Sequence, residues 1–263
     1  MLRYCLLLLL AINTQCVVAN HRSIQDFVNA TIPMRSDGKF LIPDYIKHIK
    51  LDIGLSYSAP QSQYWLTQEK DLFVFGFEPN PEAVDSIIHG AIKRNESHGE
   101  PLDVQFIGTR FFLIPCALGL SDKETIPFFV TKQDCGCSSM FQPAYFELER
   151  VIEVPIFPLK DFFDLFPFDS HPIIDYIKID AQGADLDIAK SAGKYLQDHV
   201  VYITLEPEDA QYHGTNNSES EISDYMASIG FVRHYSPYTL DPTYFNPRFA
   251  DYVQQCEVQI YQR

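Results

Sequence analysis

The chain has 263 residues, of which 46% are apolar and 14% aromatic, and its formal net charge at pH 7 is −15. This length and composition predict one compact globular domain and exclude a disordered protein, a collagen-like repeat and a disulfide-dense mini-protein. Excess negative charge repels phosphate backbones and anionic headgroups, and the longest run of Lys and Arg is the pair Lys93-Arg94. Binding to nucleic acid or to a membrane surface is therefore not expected.

Residues 1–19 have the pattern of a secretory signal peptide. Arg3 gives a basic start, an apolar run covers residues 4–12, and small residues precede a cleavage position before Asn20. The run is far shorter than the roughly 20 residues of a membrane-spanning helix, which favours cleavage over the alternative of an uncleaved signal anchor. We expect a protein of the secretory pathway (endoplasmic reticulum or Golgi lumen) or a secreted one.

Cleavage would leave four cysteines, which are Cys116, Cys135, Cys137 and Cys256. An even number in an oxidising compartment favours disulfides. Because a Cys135–Cys137 bridge would be strained, we expect one of these two residues to pair with Cys116 or Cys256. A zinc site of four thiolates is the alternative, but the spacing lacks paired C-x-x-C arms.

Three N-x-[ST] tripeptides agree with passage through the secretory pathway. They begin at Asn29, Asn95 and Asn216. Such tripeptides also arise by chance, so the prediction of a glycoprotein depends on the signal peptide.

Residues 20–44 form an N-terminal extension, and residues 45–263 alternate between apolar runs and helical periodicity, which predicts an α/β domain. Strands are predicted at residues 45–54, 71–78, 110–117, 173–180 and 200–205. Helices are predicted at residues 59–70, after Asn80, from Leu159, around Leu186, and after a capping box that begins at Ser218. Residues 231–235 and 256–261 are predicted to form a terminal pair of strands. The pattern of residues 119–153 is weaker, with Cys135-Gly136-Cys137-Ser138-Ser139 in a loop, and residues 237–251 look loop-like.

Four predicted strands end in a carboxylate, and these are Asp52, Glu78, Asp180 and Glu206. In an open parallel sheet the ligand binds outside the carboxyl ends of the strands, so we expect the four acids at one rim. The alternative is that each acid is solvated or caps a helix. Since Gly54 is followed by no G-x-G-x-x-G or P-loop pattern, the rim suits a nucleoside without phosphates, and S-adenosylmethionine is the leading candidate.

Four segments carry a family resemblance, and they are Leu51-Asp-Ile-Gly-Leu-Ser-Tyr-Ser-Ala59, Val74-Phe-Gly-Phe-Glu-Pro-Asn-Pro81, Pro115-Cys-Ala-Leu-Gly119 and Tyr176-Ile-Lys-Ile-Asp-Ala-Gln-Gly-Ala-Asp185. Together they resemble the FkbM-type methyltransferases, a group with the Rossmann-like class I fold. The resemblance covers roughly residues 48–262. It implies a mostly parallel seven-stranded sheet with a terminal antiparallel strand, S-adenosylmethionine as cofactor, and transfer of a methyl group to a hydroxyl oxygen.

The resemblance also implies cofactor-binding residues, which are Asp52, Gly54, Ser56, Glu78, Asn80, Ala117 and Leu118. Among them, Asp52 and Gly54 would lie at the methionine end and Glu78 would bind the ribose. Two positions depart from the family pattern: Ser58 replaces the later glycine of D-x-G-x-x-x-G, and Gln182 stands where glutamate is common.

Asp180 is the first candidate for the general base or for orienting the acceptor, and Glu206 and His213 are weaker candidates. His213 lies just past a strand end, although an exposed loop histidine is the simpler interpretation. No histidine spacing supports a metal site, which leaves a divalent ion held by Asp180 and Glu206 as a minor alternative.

These observations predict an S-adenosylmethionine-dependent O-methyltransferase whose acceptor is a glycan or a small molecule. The alternative is a secreted, catalytically inactive protein of the same fold that binds a ligand or a protein. The altered glycine turn is the observation that favours this alternative.

Overall fold

The computed structural model of the chain describes Ile24 and residues 32–90, 99–132, 135–208, 210–235, 237, 240–256 and 258–260. The predicted signal peptide and the tripeptides at Asn29 and Asn95 lie outside the described residues. Across these described ranges, no helix is both long enough and apolar enough to cross a membrane.

The described strands fall into a large sheet and a small one. They are β1 (His48–Ile53), β2 (Leu72–Phe77), β3 (Phe111–Ile114), β4 (Ala117–Leu118), β5 (Thr125–Thr131), β6 (Leu148–Phe157), β7 (Ile174–Ile179), β8 (Val200–Leu205), β9 (Val232–His234) and β10 (Thr243–Phe245). Seven of them form the large sheet in the order β3-β2-β1-β7-β8-β10-β9. Only β10 runs antiparallel to its neighbours, β8 and β9, so the predicted mostly parallel sheet of seven strands is confirmed.

Helices cover both faces of the large sheet, as parallel strands require for their crossover connections. The described α-helices are α1 (Pro60–Gln68), α2 (Pro81–His89), α3 (Leu159–Phe163), α4 (Asp185–Ser191), α5 (Tyr195–His199), α6 (Glu219–Ser228) and α7 (Ala250–Gln255). The Asn80 side chain caps α2 by accepting a hydrogen bond from the Glu82 amide at 3.1 Å. Ser218 and Glu221 form the predicted capping box of α6.

Two apolar cores separate along the two faces because side chains alternate across each strand. Ile53, Phe75 and Ile177 point into one core, together with helices α3, α4 and α6. Val74 and Tyr176 point into the other, where Trp65 of α1 packs edge-on against Tyr176. With both faces covered, the ends of the strands are left as the place for a ligand.

The small sheet has the order β4-β6-β5 and lies in residues 119–157 and the preceding β4, a region with a weak sequence pattern. Phe128, Val130 and Val154 form its own apolar cluster. No strand was predicted at β5 or β6, because proline and charged residues interrupt their alternation. Pairing with each other therefore stabilises these strands more than local pattern does.

The terminal strand pair was predicted in the wrong place. Residues 231–235 do contain β9, but its partner β10 lies at Thr243–Phe245, within the segment predicted to be loop. Residues 250–255 form α7. In the predicted strand at residues 256–261, Val258 and Ile260 pack on the second core without forming a strand. Apolar alternation near the C terminus is therefore used for packing and not for pairing.

The described part of the N-terminal extension packs tightly on the domain. Phe40 is fully buried and its ring contacts Phe75 and Phe162 at centroid distances of 5.7 and 5.1 Å. The Phe40 amide donates to the Leu165 carbonyl at 2.9 Å. This segment therefore completes the first core.

The expected disulfides involving Cys116, Cys137 or Cys256 were wrong, because none of these three residues forms a disulfide in the structure. Cys116 is fully buried just after the carboxyl end of β3. Cys256 ends α7, and Tyr252 of that helix donates a hydrogen bond to Asp175 at the opposite end of the strands. A strand of six residues spans about 20 Å, so these two thiols lie too far apart to bond.

Candidate functional site

A cavity of about 720 Å³ lies at the carboxyl ends of β1, β2, β7 and β8. All seven residues predicted to bind a cofactor line it, and so do Asp180 and Glu206. Apolar side chains such as Phe128, Met140 and Ile188 make up part of its wall. Strand-end acids and glycine turns, which are far apart in sequence, therefore meet in one concave site.

Asp52 and Lys178 are direct neighbours on adjacent parallel strands, β1 and β7. The Lys178 Nζ lies 3.6 Å from Asp52 Oδ1, and the Ser62 hydroxyl donates to Asp52 Oδ2 at 2.6 Å. Burial raises the pKa of Asp52, although Lys178 and Ser62 act against this shift. Within the described chain, Asp52 Oδ1 accepts no hydrogen bond, which leaves a buried acceptor at the cavity wall.

The turn after β1 depends on glycine at one position only. Gly54 has φ of 84°, and a Cβ added there would lie 1.8 Å from the Asp180 carbonyl oxygen. Ser56 and Ala59 also adopt left-handed backbone, with φ of 55° and 47°. Ser58 does not, and its side chain is not among the described residues that line the cavity. Serine in place of the family's later glycine thus neither strains the turn nor narrows the cavity.

Glu78, after β2, is held by the backbone on both sides of the cavity. Its Oε2 accepts from the Leu55 amide at 3.3 Å and its Oε1 accepts from the Asn80 amide at 2.8 Å. Asn80 Nδ2 in turn donates to the Tyr57 hydroxyl at 3.0 Å. These bonds fix a carboxylate, an amide and a phenol at one end of the cavity, a set suited to hydroxyl groups and a heterocycle.

At the other end, two carboxyl groups share one amide donor. Gln182 Nε2 donates to Asp180 Oδ1 at 2.8 Å and to Glu206 Oε2 at 3.2 Å. Lys178 Nζ lies 3.0 Å from the other oxygen of Asp180. The geometry therefore gives Asp180 a cation and an amide as partners, whereas among the described residues Lys178 forms no ion pair with Glu206.

The pKa values of the two acids move in opposite directions. Burial acts to raise the pKa of Asp180, but Lys178, Glu206 and Gln182 together bring it below its ordinary value. Burial and the neighbouring Asp180 raise the pKa of Glu206 to about 10. These shifts favour the negative charge on Asp180 and the proton on Glu206.

Further buried acids lie behind this pair. Asp185 is fully buried and accepts hydrogen bonds from the amides of Ala181 and Glu206, at 3.1 and 2.9 Å. Burial raises the pKa of Asp185 to about 8 and that of Glu208 to about 7. The side chain of Asp185 thereby joins the ends of β7 and β8, which fixes the separation of the two acids in front of it.

His213 is exposed and lies outside the set of described residues that line the cavity. Its neighbour Tyr212 is buried instead, and the Tyr212 hydroxyl donates to Gln182 Oε1 at 2.6 Å. Sequence reasoning chose the titratable histidine of the Tyr212-His213 pair, but the aromatic residue is the one turned toward the site.

Lys178 and Gln182 were not predicted as site residues. Lys178 did carry a signal, because it is a charged residue between Ile177 and Ile179 in a strand buried on both faces, two positions before Asp180. Such a residue needs a buried partner, and alternation places it on the same face as Asp180. Gln182 gave only a weaker signal, as a departure from a family pattern.

Within the part of the chain that the structure describes, no group of three or more His, Cys, Asp and Glu residues is arranged to hold a metal ion. Comparison with known families gives one finding. A family model described as "Methyltransferase FkbM domain" matches residues 52–233, which is more than half of the chain. No curated protein matches the chain.

Proposed function

The chain belongs to the FkbM methyltransferase family, and from this premise we propose that it transfers a methyl group from S-adenosylmethionine to a hydroxyl oxygen. The acceptor would be a glycan or a small molecule. The observation that carries the proposal is that an acid suited to binding ribose and a pair of acids suited to accepting a proton line the same cavity. Glu78 with Asn80 forms one end, and the Asp180–Glu206 pair forms the other.

The residues present fit the cofactor. Glu78 is fixed as an acceptor for ribose hydroxyls by its bonds to the Leu55 and Asn80 amides. Asp52 Oδ1 is a buried acceptor that no hydrogen bond from the described residues satisfies, and an ammonium group would satisfy it. When bound, S-adenosylmethionine supplies a methyl carbon on a positively charged sulfur, and transfer breaks that C–S bond and leaves its electron pair on the sulfur.

This chain's task is then to hold the acceptor and to take its proton. Asp180, ionised and held by Lys178 and Gln182, would accept the hydroxyl proton as the oxygen bonds to carbon. Holding both reactants in one cavity replaces an encounter in solution with a positioned reaction.

The charges around the cavity favour an uncharged acceptor. Among the described residues that line it, Lys178 is the only Lys or Arg, and it already pairs with Asp52 and Asp180. Asp241 adds a further acid to the wall. A carboxylate or phosphate on the acceptor would meet acids without a free cation, so a neutral hydroxyl is the better match.

The structure removes the observation that favoured an inactive binding protein, because Ser58 neither needs left-handed backbone nor lines the cavity. The pattern of residues 1–19 supports a location in the secretory pathway. The tripeptide at Asn216 agrees with it, because Asn216 is exposed. A glycan acceptor follows from that proposed location.

The test is methyl transfer from S-adenosylmethionine with a labelled methyl group to a panel of neutral glycans and small polyols. We expect labelled product with an ether-linked methyl group, a loss of at least roughly 100-fold in Asp180→Asn, and no change in the exposed control Glu153→Gln. Transfer to nitrogen or carboxylate, or equal rates in Asp180→Asn and wild type, would overturn the proposed reaction.

A further inference from the structure

The two acids at the acceptor end are joined through a single nitrogen, and this arrangement has a chemical consequence. We propose that Asp180 and Glu206 hold one proton between them near neutral pH, and that Lys178 and Gln182 are positioning residues that keep the negative charge on Asp180. The use of this charge in methyl transfer rests on the proposed function, whereas the proton-sharing itself does not.

The distances require the pair to be close. Oxygens of both carboxyl groups lie within 3.2 Å of Gln182 Nε2, which is the donor to each. Two ionised carboxylates at such separation repel strongly in a site shielded from water, so one of them retains a proton. The other remains ionised only if a cation is nearby.

Lys178 decides which acid is ionised. Its Nζ lies 3.0 Å from Asp180 Oδ2, and its ion pairs are with Asp180 and with Asp52. No ion pair to Glu206 occurs among the described residues. The Lys178 side chain is only 7% exposed, so its charge is poorly screened and acts on Asp180 strongly.

Gln182 is held in a single orientation by two other hydrogen bonds. The Tyr212 hydroxyl donates to its Oε1 at 2.6 Å, which turns the Nε2 donor toward the two acids. The Ser139 hydroxyl donates to its backbone oxygen at 2.6 Å. Its φ of 54° lies in the left-handed region, which is unfavourable for a residue with a Cβ. These hydrogen bonds hold the amide in place in that conformation.

An amide at this position suits a pair with one proton. A glutamate, the residue common here in the family, would put a third carboxylate against Asp180 and Glu206, and it would need a further proton or cation. Gln182 instead donates to both acids without adding charge.

Other titratable groups surround the pair and favour the same charge distribution. From α4, Asp185 accepts from the Glu206 amide, while Glu208 and Asp241 act electrostatically on Glu206 from the loops after β8 and before β10. The electrostatic effect of Glu208 and Asp241 disfavours a negative charge on Glu206, whereas Asp185 acts by fixing the Glu206 backbone. Tyr212 completes the set and is neutral at pH 7.

The test is a pH titration of the folded full chain by NMR, with 13C-labelled carboxyl groups of Asp and Glu. Asp180→Asn and Glu206→Gln identify the two signals. We expect wild-type Asp180 to be ionised and Glu206 to be protonated at pH 7, with Glu206 titrating near pH 10. In Asp180→Asn, loss of the neighbouring charge lowers the midpoint of Glu206.

Lys178→Met and Gln182→Gly then test the two positioning residues. Each is expected to raise the titration midpoint of Asp180 by about one pH unit or more, whereas the exposed control Lys132→Met leaves it unchanged. Because glycine relieves the left-handed backbone at residue 182, Gln182→Gly gives a decisive result even if Lys178→Met does not fold. Two ionised acids at pH 7 in the wild type, or an unchanged Asp180 midpoint in the folded variants, would overturn the proposal.

A calorimetric titration of the same sample with S-adenosylmethionine separates this proposal from the proposed function. If the cofactor does not bind but the NMR titration shows one shared proton, only the proposed function is rejected. Cofactor binding with two ionised acids rejects the proton-sharing alone.

Discussion

Gly54 and Asp180 approach so closely that a methyl group on the Gly54 α-carbon would lie 1.8 Å from the Asp180 carbonyl oxygen. The Asp180 amide also donates to the carbonyl of Ile53, which precedes Gly54, at 2.9 Å. The turn after β1 and the end of β7 are thus fixed against each other. The glycine turn that shapes the cofactor end of the cavity thereby sets the position of the acid at the acceptor end.

Gly54→Ala should damage both ends of the site at once. Its positive φ costs alanine about 1 kcal/mol, and the clash adds roughly 1–3 kcal/mol, so the unfolding free energy falls and cofactor binding is lost. Gly230→Ala is the matched control, because Gly230 has a similar φ of 88° but open space around it. Chemical denaturation and calorimetry of both variants check this. Equal effects of the two substitutions would show that the close approach is unimportant.

The sequence predicted the strands whose pattern is local and strong. β7 is six consecutive buried residues directly before Asp180, and its identity and position follow from that run. β10 has only three residues, Thr243–Phe245, and it forms because β8 and β9 offer edges on both sides. No local pattern encodes such a strand, since its stabilisation comes from partners distant in sequence.

The site shows the same division. Glu78 and Asp180 could be predicted because each follows an apolar strand directly, and parallel strands bring their ends together. The link from Tyr212 through Gln182 to Glu206 could not, because it depends on the loop after β8 folding back over the end of β7. The absence of a disulfide at Cys116 and Cys256 could not be predicted either, because the number of cysteines does not tell how far apart the fold places them.

The buried ion pair between Lys50 and Glu69 should be important for stability. Lys50 is fully buried, its ammonium group lies over the Trp65 ring, and Glu69 is its ion-pair partner. Glu69→Gln leaves a buried charge without its counter-ion, and we expect a loss of about 3–5 kcal/mol. In the exposed pair of Lys132 and Glu147, the matched change Glu147→Gln should cost far less, because water screens both charges. Urea unfolding of both variants measures the difference, and similar losses would contradict the expectation.

His48 should make stability depend on pH near neutrality. The hydrogen bond that the His48 ring donates to Asp175 raises the pKa of His48, despite the opposing effect of burial. A raised folded pKa gives stability that is fully present below the unfolded value of about 6.5 and is lost as pH rises through the folded value. His48→Gln should therefore destabilise the protein more at about pH 5.5 than at about pH 8.5. The opposite order in urea unfolding would show that the imidazolium is not the stabilised form.

Cys116, Cys137 and Cys256 should differ in the reactivity of their thiols. Burial raises the pKa of Cys116 and removes it from solvent, so it should resist an aromatic disulfide reagent in the native protein. Cys137 and Cys256 are partly exposed and should react. Reaction before and after unfolding, followed by peptide mass analysis, distinguishes them. A Cys116 that is blocked even after unfolding would indicate a disulfide and contradict the structure.

The proposed reaction depends on binding of S-adenosylmethionine in the cavity at the strand ends. Calorimetric titration of the folded protein with S-adenosylmethionine and with S-adenosylhomocysteine tests it directly. We expect one saturable site for each ligand, and we expect Glu78→Ala to lose it. Glu153→Ala should retain it, because Glu153 is an exposed residue on the small sheet. Absence of binding at millimolar ligand by wild-type protein that is demonstrably folded would contradict it.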